Sequence, residues 1–240
     1  MIISHSRQFI FVHVHKAGGT SIERALDPHL AWNDLILGGS PFGERIQGPY
    51  KKRFGLNKHS AVSEIEAVCG ARYLDDYFLF ALVRHPLARL CSIYNFVATT
   101  VNAWAVRQNI ALADVARVMT PQDAKKTPGL AWTSSRVFLN TKGFSEFIRH
   151  DDIRKAPGFR SQVRLLSRSA GGKPAGTIYR LEDHPEWESD LSDRLKLDFH
   201  LPHDNRSGLR LADPEAITAE DKVLVEDLFR ADYEAFGYRS

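Results

Sequence analysis

Residues Gln8 to Val14 (QFIFVHV) run directly into HKAGGTS and then into SIERAL, Ser21 to Leu26. This junction constrains the fold more than any other part of the chain. The first stretch is rich in β-branched and aromatic side chains, the composition of a buried strand. Gly18 and Gly19 punctuate a loop, and good helix formers follow. A second apolar run, Tyr77 to Val83, has the pattern of a parallel strand covered on both sides. It ends at Arg84, and Pro86 is placed to start a helix on which Leu87, Leu90, Tyr94 and Val97 recur at helical spacing. Gly176 to Leu181 supplies another strand. Strands alternating with helices predict an α/β fold in three layers, a central parallel sheet with helices on both faces.

The remaining segments are read more coarsely. Asp27 to Asn57 is expected to be irregular. A short helix is expected from Ser60 to Cys69, with Ala61, Ile65 and Val68 on one face. A further helix is expected over Val101 to Val118, and a loop or flap over Thr120 to Arg136. Phe144 to His150 and Gln162 to Ser167 are short helical segments. Thr218-Ala-Glu-Asp221 resembles a capping box and opens a last helix carrying Val223, Leu224, Leu228, Ala231 and Phe236 on one face. With 240 residues, 1–240 is expected to be a single domain.

Composition excludes several classes. Hydrophobic residues at 43% and charged residues at 25% exclude a disordered or fibrous chain. A net charge of +3 is too mild for a nucleic-acid-binding surface. Cys69 and Cys91 lack metal-ligand spacing and are expected to be buried free thiols. The N-terminus has no signal-peptide pattern, and no apolar run approaches the ~18 residues of a membrane span. A soluble, cytoplasmic protein is expected.

Three groups of residues could carry chemistry. In the first, Gly18 and Gly19 let backbone amides approach an anion, at a helix N-terminus with partial positive charge. Thr20 and Ser21 add hydroxyls and Lys16 a mobile cation. The lysine precedes the glycines here, whereas a Walker A loop has it after the second glycine. That order argues against a metal-dependent NTPase, as does the lack of an acidic cluster. In the second group, Arg84 ends a strand, where open α/β sheets place ligands, and Ser92 follows eight residues later. A guanidinium fork and a hydroxyl together suit a second anionic group. The third is His59, an imidazole able to accept a hydroxyl proton near neutral pH, with His13 and His15 as competing bases.

The chain resembles the PAPS-dependent sulfotransferases. FVHVHKAGGTS is similar to their 5′-phosphosulfate loop and FALVRHPLARLCSIYNF to their 3′-phosphate motif. KHSAV (58–62), IYRLED (178–183), LPHDNRS (201–207) and a final helix ending in FGY extend the likeness toward the carbohydrate branch that includes heparan and uronyl 2-O-sulfotransferases. It fades over 27–55 and 99–141, and the latter is expected to be a variable, acceptor-side insertion. The resemblance implies a P-loop-like fold and 3′-phosphoadenosine 5′-phosphosulfate (PAPS) as cofactor, with no metal. Lys16, Gly18, Gly19, Thr20 and Ser21 would hold its 5′ end, Arg84 and Ser92 its 3′-phosphate. His59 would be the base and Lys16 would stabilise the leaving group.

The acceptor is expected to be a hydroxyl-bearing saccharide. Trp104 and Trp132 are candidate stacking faces, and Arg107, Arg117, Lys125, Lys126 and Arg136 could draw an acidic glycan. Asn205, Arg206 and Ser207 could close over the cofactor. The competing readings are a P-loop-type small-molecule kinase and a non-catalytic nucleotide- or glycan-binding module.

Overall fold

In the computed structural model, which describes residues 1–201 and 208–239, the apolar runs form one five-stranded sheet. The chain begins with β1 (Ile2–Ser4), β2 (Phe9–Val12), α1 (Gly19–Leu26), β3 (Leu35–Ile36), α2 (Pro41–Phe54), α3 (Val62–Cys69), α4 (Ala71–Asp76) and β4 (Phe78–Val83). There follow α5 (Pro86–Arg107), α6 (Val115–Val118), α7 (Pro121–Lys126), α8 (Thr133–Leu139), α9 (Phe144–Arg149) and α10 (Asp151–Lys155). The last elements are α11 (Gln162–Leu166), β5 (Thr177–Arg180), α12 (Glu186–Leu195), α13 (Ala219–Leu228) and α14 (Arg230–Phe236). Two compact units result. The first comprises Met1–His85, 161–201 and Arg230–Arg239, the second Pro86–Arg160 and 208–229.

The first unit holds the sheet, in the order β3-β1-β2-β4-β5. β2, β4 and β5 are parallel, with Val12 opposite Ala81 and Val83 opposite Arg180. The expected parallel core is thus present, and β1, antiparallel to both β2 and β3, adds a mixed edge to it. Only four residues join β1 to β2, too few for the crossover that a parallel pair needs. Alternate side chains of the strands enter two cores. Ile10, Val12, Leu79 and Ala81 pack with Val62, Ile65 and Leu166 on one face, and Phe9, Phe11, Phe80 and Leu82 with Ile22, Leu26 and Leu191 on the other. The three-layer α/β arrangement is therefore present.

The segment expected to be irregular contains the 14-residue α2. Gly43, Gly48 and Pro49 hide its periodicity, while its ends are well specified. The Ser40 hydroxyl accepts from the Gly43 N–H, Pro41 occupies the first turn, and Gly55 ends the helix in the left-handed region. Val68, expected on the buried face of α3, is exposed, whereas Ala61 and Ile65 are buried.

In the second unit α5 runs unbroken for 22 residues, past the boundary expected near Val101. Thr99 and Thr100 obscure its continuity, yet both hydroxyls bond the carbonyl four residues back and stay helical. The expected flap contains α7 and most of α8, the former capped by Thr120 and Asp123. The expected C-terminal helix is two helices, and Thr218 caps the first as predicted. Val223 and Leu228 are exposed, while Val225 and Phe229 are buried. Cys91 is buried and Cys69 only partly so; both are free thiols.

A buried carboxylate organises α11 in the first unit. Asp232 accepts from the Ser161 hydroxyl at 2.5 Å and from the N–H groups of Gln162 and Val163 at 2.9 and 3.0 Å. Asp232→Ala leaves these donors without their acceptor and is expected to cost about 3 kcal/mol in a urea titration. A loss below about 0.5 kcal/mol would contradict this assignment.

Candidate active site

Because β2 and β4 are parallel neighbours, the segments leaving them emerge at the same edge of the sheet. The segment after β2 turns sharply, with Lys16 at φ 61° and Gly18 at φ 81°, both left-handed. The lysine pays steric strain that the glycine avoids. α1 then starts at Gly19, with Gly18 in its N-cap position and no side chain acting as cap. Its first amides and positive dipole end are directed at whatever lies beyond the loop. Gly19 has a second reason to be glycine. A Cβ there would lie 2.4–2.7 Å from the ring of His13, so the missing side chain makes room for an imidazole.

Arg84 follows β4. Its backbone is clamped by Gln162, whose side-chain oxygen accepts the Arg84 N–H at 3.0 Å while its amide donates to the Arg84 carbonyl at 2.9 Å. The guanidinium Nη1 donates to the Lys16 carbonyl at 3.4 Å, linking the two strand ends. Burial, then the charges of Arg84 and Lys58, push the Lys16 ammonium down to about 8. The region therefore carries excess positive charge in partly dry surroundings, where an anion is favoured.

Three histidines meet beside the loop. His59 stacks on His15, ring centres 3.5 Å apart and 22° from parallel, and meets His13 edge-on at 4.6 Å. His59 Nδ1 lies 2.9 Å from the main-chain oxygen of His13. A carbonyl can only accept, so Nδ1 carries the hydrogen and Nε2 keeps the lone pair. Burial, followed by the neighbouring His13 and His15, holds His59 well below the usual imidazole range. At neutral pH it is an unprotonated base with Nε2 as its acceptor nitrogen.

Behind the histidines lies Glu23 of α1, which has no exposed surface. Its Oε1 accepts from His13 Nδ1 at 2.7 Å and from the Met1 amino group, and Oε2 lies 3.3 Å from Lys58 Nζ. Burial is the largest influence on Glu23 and would raise its carboxyl, but these cationic and hydrogen-bonding neighbours bring it below the ordinary range. Glu23, Lys58 and Gln162 were not recognisable as site residues in the sequence. Glu23 is ten residues from His13, 22 from Met1 and 35 from Lys58, separations that no local pattern encodes.

The structure thus gathers Lys16, His59 and Arg84 around the glycine loop of the first unit, with Gly18, Gly19, Thr20 and Ser21 at the start of α1. Ser92 lies on α5 of the second unit and is half-buried. Asn205, Arg206 and Ser207 fall outside the described residues. The two tryptophans differ sharply. Trp104 is buried among Val97, Val101, Val115 and Leu130, so it presents no stacking face. Trp132 is half-exposed and stacked on Phe96 at 6.0 Å. Arg117 and Arg136 are spent in exposed ion pairs with Asp114 and Asp152.

Among the described residues no group of three or more His, Cys, Asp or Glu side chains could hold a metal ion. Likewise, no described helix is long and apolar enough to cross a membrane.

The family model described as the sulfotransferase family matches residues 1–239. No curated protein and no solved structure matches the chain. A match that spans nearly the whole sequence agrees with the α/β fold and with a basic, glycine-lined loop between a parallel strand and a helix. The chain belongs to the sulfotransferase family and is a sulfuryl transferase.

Proposed function

We propose that this enzyme transfers a sulfuryl group from PAPS to a hydroxyl of a saccharide. The observation that carries the reading is the buried positive charge around Lys16. Burial and the adjacent Arg84 and Lys58 disfavour its protonated form, and a dianionic phosphate placed there removes that penalty. The site residues fit the two ends of such a nucleotide. Lys16, Gly18, Gly19, Thr20 and Ser21 would hold the 5′ end and Arg84 the 3′-phosphate, a role that the sequence motif gives also to Ser92. When bound, PAPS supplies a sulfuryl group on a phosphate leaving group.

The chain's own groups then have defined tasks. His59 Nε2, the nitrogen left bare by the Nδ1 hydrogen bond, takes the proton of the acceptor hydroxyl as its oxygen attacks sulfur. Lys16 and the α1 amides stabilise the negative charge that gathers on the departing phosphate oxygen. Positioning and electrostatics dominate such transfers, as they do in phosphoryl transfer. A saccharide acceptor is supported by the stacked, half-exposed Trp132 and Phe96, ring faces of the type that pack on sugars. We read 1–240 as one sulfotransferase domain with 99–141 serving the acceptor, and the free thiols of Cys69 and Cys91 suit a cytoplasmic setting.

Three outcomes are expected. His59→Ala lowers kcat by roughly 10²–10⁴ in a sulfuryl-transfer assay while leaving nucleotide affinity unchanged; unchanged turnover moves the base to His13 or His15. Arg84→Ala weakens binding of the product 3′-phosphoadenosine 5′-phosphate (PAP) by about 2 kcal/mol, roughly 30-fold; wild-type affinity would contradict the 3′-phosphate assignment. The third concerns pH. Lys16 in the free protein loses its proton as pH rises through about 8, and a bound anion restores it. PAP affinity should therefore fall as pH rises above about 8, with proton uptake on binding, read by calorimetry in buffers of different ionisation enthalpy. Affinity independent of pH from 7 to 9 would contradict Lys16 as the phosphate partner.

A further inference from the structure

Glu23 plays no part in the chemistry proposed above, yet it is tied to both sides of His59. It accepts the Nδ1 hydrogen of His13 at 2.7 Å and lies 3.3 Å from Lys58 Nζ. His13 provides the carbonyl that bonds His59 Nδ1 and the ring edge that packs against the His59 imidazole. Lys58 is the residue immediately before His59, and its ammonium is also held by Glu44 at 3.2 Å. One buried carboxylate thus joins the strand-end residue that supports His59 to the turn that carries it. Close packing reinforces the clamp, since a Cβ on Gly39 would lie 2.4 Å from the Glu23 Cβ.

We propose that Glu23 is a positioning residue for His59, holding the His13 ring and the Lys58 ammonium so that the His59 Nε2 lone pair keeps a fixed direction. As an ionised carboxylate Glu23 can only accept, so His13 keeps its hydrogen on Nδ1 and cannot turn its ring over without breaking that bond. Lys58, the residue before His59, is tied through its ammonium to the same carboxylate and to Glu44. A general base displaced by a fraction of an ångström loses much of its advantage even when its own chemistry is unchanged. Glu23 therefore acts on turnover through His59 and makes no contact with either substrate.

This inference rests on His59 being the base, and a double-mutant cycle separates the two claims. Glu23→Gln should lower kcat by about 30-fold while leaving KM for PAPS and the Kd of PAP within about threefold. In a His59→Ala background the same substitution should change kcat by less than about threefold, because its target is gone. Nitrogen-15 spectra of histidine-labelled protein should show His13 with its hydrogen on Nδ1 in the wild type and a mixture of tautomers in Glu23→Gln. If Glu23→Gln does not fold, Lys58→Met cuts one arm of the clamp and should lower kcat about fivefold with the same dependence on His59. Full turnover in Glu23→Gln, or an equal loss with and without His59, would overturn the proposal. So would a rise in the Kd of PAP that accounts for the whole loss. Unchanged turnover in His59→Ala alone would instead remove the base assignment on which the proposal stands.

Discussion

The parallel pairing of β2 with β4 is the constraint on which the rest depends. It runs from Phe9 opposite Phe78 to Val12 opposite Ala81, and both strands are almost entirely buried. A one-residue slip would exchange the two faces, driving Phe80 and Leu82 into the layer that now holds Leu79 and Ala81. The register is thus fixed by packing on both sides, and with it the level at which Lys16 and Arg84 leave the sheet. The hydrogen bond from Arg84 to the Lys16 carbonyl and the Gln162 clamp on Arg84 are consequences of that register.

Around this edge the charges are sorted by position. On the loop side Lys16 faces Arg84 and Lys58, and its ammonium is pushed down to about 8 by burial and then by their charge. Toward the protein interior, Glu23 gathers His13 and Lys58. Lys58 belongs to both groups, so it links the carboxylate behind the histidines to the cations at the loop. His59 sits among these groups, neutral because burial and the adjacent imidazoles disfavour its charged form. In the proposed transfer from an anionic donor to an uncharged hydroxyl, a neutral imidazole beside a cationic pocket would keep the two roles apart.

Much of this was legible in the sequence where local patterns were strong. The QFIFVHV run, the glycine pair and the YFLFALV run became β2, the turn before α1 and β4. The ordered series of short motifs was enough to point to the family. What stayed hidden depended on tertiary contacts. α2 was obscured by Gly43, Gly48 and Pro49, although Gly43 is required because Gly38 and Ile36 carbonyls occupy the space of its absent Cβ. The antiparallel β1 and β3 are too short to carry periodicity. Trp104 and Trp132 looked alike in the sequence, and only packing sends one into a core and leaves the other at the surface. Gly19 stood out in the sequence only as a candidate for an anion loop, not as the space that admits His13. Glu23 was invisible, because its partners are brought to it by the fold alone.

The central claim is that the loop and Arg84 form a site for a nucleotide phosphorylated at both the 5′ and 3′ positions. Thermal unfolding with PAP, compared with ATP and AMP in the absence of added metal, tests it most directly. The account predicts that PAP at a hundredfold excess over its Kd adds about 2.7 kcal/mol and raises the midpoint, while AMP and ATP do much less. Stabilisation by ATP with magnesium and none by PAP would contradict it and point to a kinase.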